Sequence, residues 1–135
     1  MRYDELIKTI QIRDILVTSL NFERQLPLDS QFPQGSKYNV ESKMSIKQSG
    51  ESLIGRMHFQ LTALSDEGAS IFTMKGTILA KYQLPGGAIL GRTLLKKFAD
   101  NNVKVNVWPY LRALVFQHTG GAGLPSLTLN VLRRV

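Results

Sequence analysis

The sequence predicts an α+β fold: a four-stranded antiparallel meander sheet with two C-terminal helices packed on one of its faces. Three observations predict it. Between Ile10 and Tyr82 apolar residues recur with a period of two in four successive stretches. Past Leu84-Pro85-Gly86-Gly87 the period becomes helical. Strands come first and helices last, so no βαβ unit supplies the crossovers of a parallel sheet.

The first strand is expected from Ile10 to Arg24. Ile10, Ile12, Leu16, Leu20 and Phe22 share one parity, while Ile15 and Val17 fall on the other among polar residues. Asp14 interrupts the apolar parity, which marks a β-bulge. Gln25 to Lys37 holds Pro27, Pro33 and Gly35 without any period and reads as a crossover loop. The second strand sets Tyr38, Val40, Met44 and Ile46 against Asn39, Glu41, Lys43, Ser45 and Lys47, with Ser49-Gly50-Glu51 as its turn. The third carries Leu53, Met57, Phe59, Leu61 and Ala63 on one face and turns at Ser65-Asp66-Glu67-Gly68. The fourth places Phe72, Met74, Ile78 and Tyr82 opposite Thr73, Lys75, Thr77 and Lys81. Short turns between successive strands imply hairpins with one buried face.

Leu90, Leu94, Leu95 and Phe98 then recur at helical spacing, with Arg92, Lys96 and Asp100 facing out. Asn101-Asn102 is expected to break this helix. A second helix is expected from about Val107 to His118, with Pro109 in its first turn and a stripe of Trp108, Leu111, Leu114 and Val115. Gly120-Gly121 would end it, leaving Leu124 to Val131 as an extended tail.

A chain of 135 residues, 43% hydrophobic and 20% charged, has the size and composition of a single domain spanning 1–135. It lacks cysteine, opens on the charged run Met1-Arg2-Tyr3-Asp4-Glu5 and has no apolar stretch of membrane-spanning length, so a cytoplasmic protein is expected. Its formal charge of +7 is uneven. Residues 1–68 hold eight Lys/Arg against nine Asp/Glu, whereas residues 69–135 hold nine against one acid, Asp100. A basic half points to an acidic partner or to a solvated surface that keeps the protein soluble. Arg92, Lys96, Lys97 and Lys104 form its densest cluster and the candidate basic partner surface, which a solvated helix face explains equally well.

Catalytic signatures are lacking. The two histidines, His58 and His118, fall on a strand and at a helix end, where a cation suits the last carbonyls. There is no HExxH and no nucleophile elbow, so no enzyme and no cofactor are expected. Gly120-Gly121-Ala122-Gly123 follows a helix rather than a strand and lacks the Lys-Ser/Thr of a phosphate loop.

Three segments carry a resemblance. Ile10-Gln11-Ile12 leading to Asn21-Phe22-Glu23, the run Val107-Trp108-Pro109-Tyr110-Leu111-Arg112, and Gly120-Gly121-Ala122-Gly123-Leu124-Pro125 through Asn130 succeed one another on this architecture. They are similar to the first strand, the aromatic-Pro-Tyr opening of the long helix and the Gly-rich helix exit of the SecB family of export chaperones. The resemblance covers roughly Ile10 to Val131. It implies a homotetramer, a dimer of dimers, that holds non-native polypeptide in apolar grooves without nucleotide or metal. Carried over by position, it makes Phe32, Tyr38, Val40, Met57, Phe59, Tyr110 and Leu111 the candidate client-binding residues. The acidic outer-sheet positions by which SecB proteins meet the export ATPase SecA are Ser19 and Lys75 in this sequence, with Glu23 remaining, and the acidic C-terminal tail is replaced by Arg133-Arg134-Val135. Those departures argue against SecA docking and fit a SecB-like protein that serves a dedicated client, such as the antitoxin of a toxin–antitoxin pair.

Met44, Met57 and Met74 interleave with Phe59 and Phe72 on the apolar strand faces, the adaptable side chains a holding chaperone needs, though a core beneath helices uses the same residues. The rival expectation is a nucleic-acid-binding protein, or a structural protein of a secretion or mobile-element apparatus built on the same fold. The basic half favours it; the aromatic residues lie on the strand parity expected to be buried.

Overall fold

The computed structural model describes residues 1–130 and 132. The end of the expected tail at Val131 and the run Arg133-Arg134-Val135 lie outside the described residues. Four strands of fourteen residues each, β1 (Gln11–Arg24), β2 (Ser36–Ser49), β3 (Ser52–Ser65) and β4 (Ser70–Gln83), form one antiparallel sheet. The order across it is β1-β4-β3-β2. The meander therefore runs from β2 to β4, while the crossover loop at residues 25–35 carries the chain from β1 on one edge to β2 on the other. Both hairpin turns contain a glycine at positive φ, Gly50 and Gly68, which relieves the steric cost a side chain would impose there.

On β3 and β4 the alternation is kept nearly residue for residue. Leu53, Met57, Phe59 and Leu61 face the core with Tyr82, Ile78 and Met74 beside them. The first strand departs from its expected parity. Register shifts between Ile12 and Asp14 and between Val17 and Ser19 leave two bulges, at Arg13 and Thr18. Each bulge flips the facing of the residues after it. Between the two, Ile15 and Val17 pair with inward Ala80 and Ile78, and Leu16 turns out beside Leu79. The bulge signalled by Asp14 is there; the second carried no residue-type signal.

An N-terminal helix, α1 (Tyr3–Thr9), was not foreseen. Tyr3, Leu6, Ile7 and Ile10 have the 3–4 spacing of an amphipathic turn, with Asp4 and Glu5 at its start and Lys8 at its end. Leu6 is fully buried, and Tyr3 donates from Oη to Asn102. The expected break at Asn101-Asn102 does not occur. Helix α2 (Arg92–Phe98) passes through a π-helical turn, Ala99–Val103, directly into α3 (Lys104–Gly121). The wider turn takes up the two asparagines without ending the helix. Pro109 consequently lies inside α3 rather than in its first turn, and the carbonyl of Val105, four residues earlier, loses its usual donor.

The helical run lies across the inner sheet face. Val103, Val107, Leu111 and Val115 are completely buried and spaced four residues apart. Gly55 permits this approach, since a Cβ there would stand 2.6 Å from Val103 Cγ2. After α3, Gly123 adopts φ +75° and the chain turns back along the helix. The buried Thr119 hydroxyl donates to the Val115 carbonyl at 2.7 Å and accepts from the Leu127 amide at 2.9 Å, fixing this return.

Tyr82 is buried edge-on to Phe98, with ring centroids 5.0 Å apart, and Asn106 donates to its hydroxyl at 2.8 Å. Burial pushes its pKa up to about 12, partly opposed by that hydrogen bond. The folded state therefore holds the phenolic proton more tightly than the unfolded chain, whose tyrosines titrate near about 10. Stability from this group is complete below pH 10 and is lost between about pH 10 and 12, on the order of 2 kcal/mol in all. Urea unfolding at pH 9 and 11 should show the loss in the native protein and a smaller one in Tyr82→Phe; equal losses would exclude this tyrosine as the cause.

Candidate client groove

The crossover loop, the sheet and the segment after α3 meet around an apolar hollow of about 180 Å³. Phe32 contributes from the loop, Tyr38 from the start of β2, Ala63 from β3, and Ile71 and Phe72 from β4. Leu124, Pro125 and Leu127 close the opposite wall. Phe32 and Tyr38 keep 40% and 37% of their surface exposed, although both are aromatic and sit over an apolar floor. A bulge between Ala63 and Leu64 leaves Ile71 without a register partner on β3, while its carbonyl accepts from the Gln25 and Leu26 amides. Ile71 and Phe72 are both buried and make that floor.

Arg24 sets the distance between the two walls. Its guanidinium donates to the carbonyls of Leu26 at 2.9 Å, Pro27 at 3.3 Å and Ala122 at 2.6 Å, which ties the start of the crossover loop to the exit of α3. A side chain on Gly123 would press on this guanidinium at 3.2 Å. On the tail side, Arg112 Nε donates to the Leu129 carbonyl and Trp108 Nε1 to that of Asn130, each at 2.8 Å. The far wall is thus clamped to α3 along its length.

The seven candidate client-binding residues separate into three groups. Phe32 and Tyr38 both line the hollow, and Val40 is half-buried one step further along the same face of β2. Met57, Phe59 and Leu111 are 0–3% exposed and belong to the core, so the expectation that they line a groove is corrected. Met57 and Phe59 sit on β3, a strand flanked on both sides and covered by the helical run, and Leu111 is on the sheet-facing stripe of α3. Tyr110 is turned about 100° around the helix from Leu111 and stands 47% exposed, outside the lining of the hollow. Leu124, Leu127, Ile71 and Arg24 were not anticipated. Two adjacent apolar residues at the head of β4 were the available signal for Ile71; the tail residues carried none.

A second, more open hollow of about 420 Å³ lies further along β2. Met44, Ile46, Leu95 and Ala99 form its apolar part, and Arg92, Lys96 and Asp100 its rim. The expected basic surface is divided accordingly. Arg92 and Lys96 face this hollow, whereas Lys97 stacks over the Tyr3 ring with Nζ 4.5 Å from its centroid, and Lys104 is half-buried at the head of α3. Because β2 is an edge strand, its outer row of backbone donors and acceptors is unpaired between the two hollows. Among the described residues no cluster of His, Cys, Asp or Glu is placed to hold a metal, and no helix is long and apolar enough to cross a membrane.

Comparison with solved structures places this architecture. A Mycobacterium tuberculosis SecB-like chaperone, solved in complex with a ChAD peptide from the HigA1 antitoxin, superposes with a TM-score of 0.86 at 21% identity. The match covers 100% of this chain and 99% of that one. A Streptococcus agalactiae protein of unknown function matches with a TM-score of 0.55 at 14% identity, over 90% of this chain and 96% of its own. No protein-family model matches the sequence. No curated protein matches it either. The chain has the SecB-like fold: the four-stranded antiparallel sheet and C-terminal helices expected from the sequence.

Proposed function

We propose that this protein is a holding chaperone that seats a segment of non-native polypeptide in the hollow beneath Phe32 and Tyr38. The observation that carries the reading is an apolar floor left open in the folded chain between two walls pinned in place by Arg24, Arg112 and Thr119. Its size supports the assignment. Small-molecule sites usually occupy about 300–1,000 Å³, so 180 Å³ suits one large apolar side chain of a longer ligand. From Tyr38 to Met44 along β2 is roughly 20 Å at about 3.4 Å per residue, a span an extended client covers with one stretch of chain. Along that span it can pair with the free edge of β2, an interaction that reads backbone rather than sequence.

The shared fold with a SecB-like chaperone holding an antitoxin peptide supports a dedicated client of this kind, with export clients the other candidates. Ser19 and Lys75 both lie on the outer sheet face, where their partners in register are Thr77, Asn21 and Gln60, so SecA is not included among the proposed partners. A homo-oligomer in the cytoplasm is part of the reading. β1 is the other free edge, and Ile12 and Val17 on it remain 49% and 42% exposed, surface that a second copy would cover. The test is suppression of aggregation of a chemically denatured model protein, run with native mass. The reading requires suppression by an oligomer, insensitive to added nucleic acid; absence of suppression would overturn it.

A further inference from the structure

The outer face of the sheet, remote from the groove and the helices, has a chemistry that holding a client does not use. The strand register places Lys47, Ile54, Lys81 and Asp14 in one row across it, Ser45, Arg56, Leu79 and Leu16 in the next, and Lys43, His58, Thr77 and Ser19 in a third. Arg13 joins them at the corner, its Nε donating to Gln83 Oε1 at 2.8 Å. Within these rows and Arg13, five cations stand with one acid, and Asp14 already accepts from the Ile15 amide. The next row, Glu41, Gln60, Lys75 and Asn21, adds one charge of each sign. No ion pair forms among the described residues, so these charges are not neutralised within that part of the chain. Lys43, Lys47 and Arg56 come from the part of the sequence whose overall charge is acidic; only the pairing of the strands collects them with Lys81.

The centre of this patch is aliphatic. Leu16 and Leu79 are register partners, Arg56 flanks Leu79, and Ile54 lies one row away. Leu79 is 7% exposed yet stands apart from the hydrophobic core, and Leu16 is 38% exposed. An apolar strip bordered by cations is complementary to a ligand with the opposite border and the same centre. The outer positions of all four strands hold no Phe, Tyr or Trp, so the stacking platform of a single-strand nucleic-acid site is missing.

We propose that this outer face, around Lys43, Lys47, Arg56 and Lys81 with Leu16 and Leu79 at its centre, docks an acidic amphipathic segment of a partner protein. The segment offers Asp and Glu side chains to the cations and aliphatic side chains to the leucine pair. This surface is separate from the client groove, and the full chain can be loaded at both.

The probe is a fluorescein-labelled synthetic peptide of leucines interspersed with glutamates, titrated by anisotropy against the full chain. Binding that weakens with added salt is expected. Lys43→Glu/Lys47→Glu/Lys81→Glu should weaken it at least about tenfold, because each exposed pair contributes a modest increment and three are reversed together. Leu16→Ser should weaken it independently, and Phe32→Ala/Tyr38→Ala should leave it unchanged. All the substituted side chains are partly or fully solvent-facing, and circular dichroism checks that the variants fold. Unaltered binding in the triple variant or in Leu16→Ser would overturn the proposal, as would loss of binding in the groove variant. Phosphatidylserine vesicles and single-stranded DNA are titrated in parallel. Salt-sensitive binding of either with no peptide binding would equally overturn it, by assigning the charge to a different partner.

Discussion

Leu111→Ala is expected to destabilise the fold by about 2–5 kcal/mol, whereas Tyr110→Ala, one residue earlier, should cost less than about 1 kcal/mol. Leu111 is fully buried at the middle of the stripe through which α3 holds the sheet, with Val107 and Val115 one turn to either side. Truncation there removes the transfer energy of an isobutyl group and leaves a cavity between a helix and a sheet that are both fixed elsewhere. The helix is anchored by the π-turn against Gly55 and by Thr119 at the tail, so it cannot collapse into the space. Tyr110 has 47% of its surface in solvent and no described hydrogen bond holding its hydroxyl. Urea unfolding of both variants, with the midpoint shifted and the slope unchanged, separates the two roles. A large effect at Tyr110 with a small one at Leu111 would mean that the helix presents a different face to the sheet.

Phe32→Ala/Tyr38→Ala should reduce affinity for an unfolded client by at least about tenfold while leaving the melting temperature nearly unchanged. Burying a Phe-sized side chain against a partner is worth roughly 1.5–3 kcal/mol, and two such contacts are lost. Stability is little affected because each ring already has more than a third of its surface in water. The readout is the suppression of aggregation, measured beside thermal unfolding. A variant that still suppresses aggregation as the native chain does would remove these rings from the site.

Much of the sheet was legible because period-two alternation on β2, β3 and β4 is enforced by a buried face, where a slip exposes every inward residue. β1 was legible in extent but not in facing. Thr18 is an ordinary strand residue, and only pairing with Thr77 and Ile78 reveals that the register shifts beside it. The continuous helix was misread at Asn101-Asn102 for a related reason: asparagine disfavours an α-turn locally, and tertiary packing of Ala99 and Val103 overrode that preference. For the groove, loop composition marked Phe32 as an aromatic without a demanded core position, and its placement with Tyr38 came from the resemblance to the SecB family; the two do line one hollow. Its far wall was not legible. The tail's place depends on Thr119, Arg112 and Trp108, residues whose bonds run to main-chain carbonyls and amides and leave no pattern in the sequence. The basic sheet face was hidden in the same way. Counting charge by halves of the chain placed it on the C-terminal helices, and strand pairing gathers a second cluster on the sheet.

The central claim, that a client sits between the crossover loop and the tail, is tested most directly by photo-crosslinking. A benzophenone amino acid replaces Phe32 in one protein and Tyr110 in another, and each is irradiated with a labelled, chemically denatured client. The account predicts strong capture from position 32 and little from position 110, which lies outside the hollow. Equal capture at the two positions, or capture from position 110 alone, would contradict it.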